Sequence, residues 1–193
     1  ASWHNYGEQN PEAKNNFQED SLFEQLRIDP FYRFVANKNP LLEVSIRKLI
    51  NELEGDKTTI VHGDFSPKNI MVSMQDEIYI LDFEVTHVGN PVFDIAFLNA
   101  HLLCKFFHAP DVLKAKLLAN TANAFHKEYS KYRSISDSLG RHVALIALAR
   151  VEGKSPVNYL NQAQQLKLQS HTKALLASKS KVELSNLFEV SMR

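Results

Sequence analysis

Asp64, Asn69 and Asp82 are the residues of this chain whose types and spacing could do chemistry together. The first two lie in TTIVHGDFSPKNIMV, Thr58 to Val72, where a polar loop interrupts strand-like apolar residues; Asp82 follows shortly after. Carboxylate and amide oxygens are hard ligands suited to Mg²⁺, which keeps several waters and binds substrate phosphates at the same time. Phosphoryl transfer needs such a set: one carboxylate to receive the proton of an acceptor hydroxyl, and carboxylate and amide oxygens to hold the metal.

The elements that must position these groups can be read from the surrounding pattern. IMVSM (70–74) and EIYIL (77–81) carry strand-favouring residues on either side of Gln75-Asp76 and predict a hairpin, with TTIV (58–61) as a further strand. If the hairpin turns near Asp76, Asn69 lies opposite Phe83 and Ile70 opposite Asp82. Asn69 and Asp82 then emerge at one open end, and the loop bearing Asp64 enters that end.

The rest of the chain has helical periodicity, so the fold class is α+β and mostly helical. Residues 1–17 read as irregular or as the tail of a helix. Leu22, Phe23 and Leu26 have helical spacing behind an Asp20 or Ser21 cap, and Asp29-Pro30 is expected to break the chain and open a new short helix. NPLLEVSIRKLINELEG predicts an amphipathic helix with Leu42, Ile46, Leu49, Ile50 and Leu53 as its apolar stripe and Gly55 as its stop. After Pro91 five helical segments follow, the last being KVELSNLFEVSMR. Gly140 inside the third implies a close contact there.

Composition narrows the function classes. The 193 residues are 44% hydrophobic, enough for a core, and the formal net charge is zero, which argues against nucleic acid or an anionic membrane surface as partner. A single cysteine, Cys104, excludes an internal disulfide or a cysteine zinc cluster and points to a reducing, cytoplasmic setting. No apolar run reaches bilayer length, and the first residues lack the basic-then-apolar layout of a secretory signal. Gly153-Lys154-Ser155 ends like a Walker motif, but Leu148 occupies its required first glycine.

His-x-Asp-x-x-x-x-Asn, then a strand pair, then Asp-Phe, is the layout of kinase catalytic and metal-binding loops. VHGDFSPKNIMV and IYILDFEVTHVGNPVFDIAFL resemble the aminoglycoside phosphotransferase and choline kinase-like family, whose loop reads H-G-D-x-x-x-x-N and whose metal segment reads D-[FW]-E followed by G-D-P-x-x-D. LRIDPFYRFVANKNP and ARVEGKSPVNYL are similar to stretches of bacterial members. The resemblance implies a protein-kinase-like fold and Mg²⁺-dependent transfer of the γ-phosphoryl group of ATP, or another nucleoside triphosphate, to a hydroxyl of a small molecule.

Carried over by position, Asp64 would be the catalytic base, and Asn69 and Asp82 would hold Mg²⁺ and with it the nucleotide. Lys68 would reach a phosphate, or else be a solvated lysine. His62 would brace the loop, and Asp94 would hydrogen-bond its backbone. Asn90 stands where the family usually has Asp, and can still cap the following helix. Arg27, Asp29 and Arg33 could line an acceptor pocket or form surface ion pairs. Arg150, at a helix end, is expected to act on the helix dipole.

The six glycines form no G-x-G-x-x-G, no V-A-I-K-like strand occurs, and the residues before Thr58 read as helices. ASWHNYGEQ resembles the family's first carboxy-lobe helix with its beginning cut off. The resemblance therefore implies the carboxy-terminal lobe alone, with the amino-terminal β lobe absent. In this reading 1–57 are leading helices, 58–90 the catalytic loop and hairpin, and 91–193 a helical substrate-side subdomain. The open cleft would receive an amino-terminal lobe or a second copy. A second reading is an inactive truncated lobe serving as a binding or interaction domain; the intact Asp64, Asn69 and Asp82 set favours the enzyme. Removing the Asp64 carboxylate is expected to abolish transfer with little loss of stability.

Overall fold

The computed structural model describes residues 1–189 and 191. The chain opens with α1 (Ser2–Gln9) and α2 (Pro11–Lys14), followed by a 3₁₀ turn at Asn15–Phe17. Then α3 (Ser21–Phe23), a π-helical stretch (Glu24–Arg33) and α4 (Phe34–Lys38) form one continuous helical run. The expected break at Asp29-Pro30 is absent. Proline lacks an N–H, and its ring collides with the preceding turn of an α-helix. The wider π turn, in which the Phe34 N–H bonds the Asp29 carbonyl, lets the chain pass Pro30 without ending the helix.

After a 3₁₀ turn at Pro40–Leu42, α5 (Glu43–Gly55) buries Ile46, Leu49, Ile50 and Leu53 against the body. The strands follow: β1 (Thr59–Val61), β2 (Ile70–Val72), β3 (Ile78–Ile80) and β4 (His87–Gly89). They form two separate antiparallel pairs, β1 with β4 and β2 with β3. The sequence pattern missed β4, because three residues are too few to show a period of two.

The hairpin register also differs from expectation. Ile70 pairs with Ile80 and Val72 with Ile78, so the hairpin centres on Gln75 and Asn69 faces Leu81 rather than Phe83. Ser73 N–H bonds the Glu77 carbonyl, and Asp76 takes a left-handed φ of 61°. That residue lies inside the turn and displaces its centre by one position. Asn69 and Asp82 still leave the hairpin at the same end, because the Leu81 N–H bonds the Asn69 carbonyl at 2.9 Å.

The body is built on α6 (Val92–His108), which is apolar on nearly every face and packs against α7 (Val112–Ser130), α8 (Leu139–Glu152) and α9 (Gln162–Ala177). Asp111 caps α7 through the Lys114 N–H, and a capping box of Asn161 and Gln164 starts α9. A Cβ on Gly140 would sit 1.9 Å from the Val182 carbonyl oxygen, so α8 needs a glycine there for the segment beyond α9 to lie on it. Of the expected last helix, α10 (Leu184–Leu187) forms; Val190, Met192 and Arg193 lie outside the described residues. Among the described residues no helix is long and apolar enough to cross a membrane.

Glu52 ties α5 to the start of α8. It accepts from the Ser138 and Ser136 hydroxyls at 2.7 and 2.9 Å, and His142 lies 3.5 Å away. Burial pushes this carboxyl up, but His142 and the hydroxyls outweigh it and hold it at about 2. A carboxyl depressed in the folded state contributes stability that is complete above its unfolded value and is lost as pH falls through its folded value. Stability should therefore decline as pH drops from about 4.5 toward about 2. Urea unfolding across that window should show a shallower decline for Glu52→Gln than for the wild type; parallel curves would remove Glu52 as a contributor.

Candidate active site

Three supports hold the loop between β1 and β2. The first is Asp94, in the first turn of α6 and fully buried. Its carboxylate accepts the His62 N–H at 2.7 Å and the Gly63 N–H at 2.9 Å, and meets His4 Nε2 at 3.0 Å. His4 in turn touches the Tyr129 hydroxyl through Nδ1 at 2.7 Å, so α1, α6 and α7 converge on one carboxylate. Burial pushes the Asp94 carboxyl up, but His4 and the two loop N–H groups more than offset it, and it lies below its ordinary value. Sequence reading placed Asp94 at the loop but missed His4, which carries no motif and lies far away along the chain.

The second support is His62. The Asp64 N–H donates to His62 Nδ1 at 3.1 Å, which leaves Nε2–H to donate to the Leu81 carbonyl at 3.0 Å. One imidazole thus ties the loop to the residue just before Asp82. Gly63 completes the bend with φ at 75°, and a Cβ there would meet the Val85 carbonyl oxygen at 2.5 Å. That position needs glycine on both counts.

The third support is Arg27, on the π-helical stretch. Its Nη2 meets Asp64 Oδ1 at 2.8 Å, its Nε donates to the Gly63 carbonyl at 2.8 Å, and its guanidinium lies 5.1 Å from the centre of the Phe97 ring. Of the three charged residues considered together in the sequence, only Arg27 reaches the loop. Arg33 forms surface ion pairs with Asp29, Glu24 and Glu54. Arg27 lies within the π-helical stretch, whose geometry is not visible in local periodicity.

These supports converge on the Asp64 carboxylate, which is 5% exposed. Oδ1 takes Arg27; Oδ2 takes the Asn69 side-chain N–H at 2.9 Å and Lys68 Nζ at 3.0 Å. A carboxylate has about four lone-pair sites, so three donors leave roughly one for an incoming hydroxyl. Lys68 is mostly exposed and, among the described residues, anchored only by this contact. Because Asn69 gives its N–H groups to Asp64, its Oδ1 is left for another donor or a cation.

Asp82 is exposed, holds a left-handed φ of 68°, and has no hydrogen-bond or ion-pair partner among the described residues. Asn69 Oδ1 likewise has no partner among the described residues, and the two residues leave the hairpin at the same end. Among the described residues no group of three His, Cys, Asp or Glu could by itself enclose a metal, so a cation here would need oxygens from elsewhere.

Beside these groups the hairpin is uncovered. Met71, Val72, Ile78, Tyr79, Leu81 and Phe83 are all exposed. A hollow of about 580 Å³ lies next to it, walled by Trp3, Phe65, Ile80, Phe83 and Phe125, with His62 and Asp94 on its lining. At the start of α6, Asn90 Oδ1 accepts the Val92 N–H at 3.0 Å and its amide reaches Asp56, so this departure from the usual Asp keeps a cap.

A family model described as a phosphotransferase enzyme family matches residues 5–135, which contain the loop, the hairpin and α6. The chain belongs to that family. Phosphotransfer is the family's activity, and the mostly helical α+β architecture with small antiparallel sheets is compatible with part of a kinase-like fold. Comparison with individual curated proteins gives no match. The matched phosphotransferase segment includes Arg27 as well as the loop, so the buried Arg27–Asp64 pair lies within it.

Proposed function

We propose that this phosphotransferase chain is the carboxy-terminal catalytic lobe of an enzyme that transfers the γ-phosphoryl group of ATP to a hydroxyl of a small molecule. The observation that carries the reading is the Asp64 carboxylate, buried and fixed by Arg27, Asn69 and Lys68 with an oxygen lone pair to spare. Asp64 accepts a hydrogen bond from the acceptor hydroxyl, aligns its oxygen with the phosphorus, and takes the proton as the new P–O bond forms and the bond to the leaving ADP oxygen breaks. Lys68, held by one exposed contact, is placed to swing from Asp64 to a phosphate oxygen.

Asn69 Oδ1 and the Asp82 carboxylate suit Mg²⁺, being hard, unpartnered and fixed by the Leu81–Asn69 backbone bond. A bound Mg²⁺ would neutralise triphosphate charge and orient the transferring group. A β-rich lobe carrying the phosphate-covering loop would seat on the exposed hairpin and the hollow beside it. The reaction needs no membrane or nucleic acid and fits a cytoplasmic metabolite enzyme.

Release of ADP that depends jointly on Mg²⁺ and on a hydroxyl acceptor tests this reading, and ADP release indifferent to chelation of divalent ions would contradict it. The lobe assignment has a separate test. In calorimetric titration the 193-residue chain alone should bind MgATP no more tightly than the order of millimolar. Micromolar binding by this chain would overturn the assignment.

A further inference from the structure

One face of α6 carries a line of cationic and polar groups that leads away from Asp64 and that the reaction as described does not use. Phe97, His101, Cys104, Lys105 and His108 share this face by helical spacing. Arg27 lies over the Phe97 ring at its start, and Phe97 packs on His101 at 5.0 Å and on Phe31 at 5.9 Å between ring centres. Arg150 lies 5.7 Å from the centre of that Phe31 ring. Farther along, Lys105 Nζ sits 3.7 Å above the Tyr159 ring.

Two donors in this line are buried and have no acceptor among the described residues. Arg150 Nε–H is one and the Tyr159 hydroxyl is the other. Arg150 has five N–H donors, yet among the described residues its guanidinium finds one acceptor, Ser155 Oγ at 3.0 Å, and no carboxylate. The nearest acid along the chain, Glu152, is turned to Lys173 at 2.6 Å and to Asn39. No Asp or Glu occurs between Asp94 and Asp111, so α6 brings no anion of its own beyond its first turn. Burial first, then the charge of Arg150, pushes His101 down to about 4, against a smaller pull from Asp64, so near neutrality His101 adds no charge. Buried donors without acceptors are costly and mark places where a partner is missing.

We propose that the phosphoryl acceptor is an anion, a small hydroxylated molecule bearing a carboxylate or a phosphate whose oxygens dock on Arg150 and Tyr159 while its hydroxyl lies at Asp64. The proposal rests on the phosphotransferase reading above and names its substrate class. A planar guanidinium with free N–H donors matches an oxyanion in shape and charge. A cationic acceptor would meet Arg27, Arg150 and Lys105, while the nearest carboxylate on this line, Asp64, is already paired with Arg27 and Lys68.

Two measurements on the full-length protein test this, and they fail separately. The first compares transfer to glycerate against glycerol, to ribose 5-phosphate against ribose, and to kanamycin. The anionic member of a pair should have a kcat/KM at least about tenfold above its neutral partner, and Tyr159→Phe, which keeps the ring packing, should raise KM for that anion by about tenfold with the loss falling on KM rather than kcat. Equal or better transfer to the neutral or cationic compounds would overturn the proposal. The two pairs separate a carboxylate from a phosphate.

The second needs no turnover, so it holds even if phosphotransfer to this panel fails. Inorganic phosphate should raise the melting temperature of the wild type by roughly 2 °C or more over chloride at equal ionic strength. The rise should shrink in Tyr159→Phe and vanish in Arg150→Met. No rise in the wild type, or an equal rise in both variants, would overturn the anion site.

Discussion

Asp64→Asn should lower kcat for phosphoryl transfer about a thousandfold, the middle of the range for loss of a positioned general base. Asparagine keeps the shape, but its single oxygen can accept from Arg27 or from Lys68 and Asn69, not from both sides, and it offers no charged oxygen to the acceptor proton. The geometry predicts a larger effect on stability than the motif alone suggested. The expectation that removing this carboxylate costs little stability does not survive the geometry, because Asp64 is 5% exposed and ion-paired to a largely buried Arg27. Burial lowers the Arg27 pKa, and the Asp64 charge opposes that shift, so the buried guanidinium depends on its partner. Asp64→Asn should cost roughly 1–3 kcal/mol of unfolding free energy, and Asp64→Ala about 3–5 kcal/mol, since alanine leaves the guanidinium charge buried with only carbonyl partners. Steady-state kinetics and urea unfolding of the same preparations would separate the two losses. Wild-type turnover in Asp64→Asn would remove it as the base, and an unchanged unfolding midpoint in Asp64→Ala would remove the Arg27 pair as a support.

Asp94→Ala should be at least as damaging to the fold and should inactivate through it. The substitution strands the His62 N–H, the Gly63 N–H and His4, all buried around one carboxylate. Breaking a buried charge-assisted cluster by removing one member costs about 3–5 kcal/mol. Because the folded-state pKa of Asp94 is depressed, its contribution is present at neutral pH and is lost as the solution becomes acid enough to protonate it. Hydrogen exchange at His62 and Gly63 should rise with the loss of stability, since these two N–H groups would have no acceptor. A variant with a wild-type unfolding curve and protected His62 and Gly63 amides would show that the loop is held by something else.

The part of the site contained in one hairpin was legible in the sequence. Asp64, Asn69 and Asp82 announce themselves because hard-oxygen side chains at fixed intervals flank short apolar strands, and the hairpin carries their geometry to one end even with its register displaced. Asp94 was legible only through the family resemblance, whose G-D-P-x-x-D segment ends at this position. What escaped was everything that depends on long-range docking. Arg27 gains its role only when the helical run that bears it docks against Gly63 and Asp64, 36 and 37 residues away along the chain. His4 matters only once α1 lies against β1. β4 exists because β1 needs a pairing partner, which three residues of its own sequence cannot signal. Arg150 ends a helix as expected, but its guanidinium is placed by contacts its own helix does not show, the Phe31 ring at 5.7 Å and Ser155 Oγ at 3.0 Å.

The most direct test of the central claim follows the γ-phosphoryl group itself. The full-length protein is incubated with Mg²⁺, ATP labelled in the γ-phosphoryl group and a panel of hydroxyl compounds, and the label is located. The account predicts label on a hydroxyl oxygen of an acceptor, dependent on Mg²⁺ and nearly abolished in Asp64→Asn. Label transferred undiminished by Asp64→Asn would contradict it.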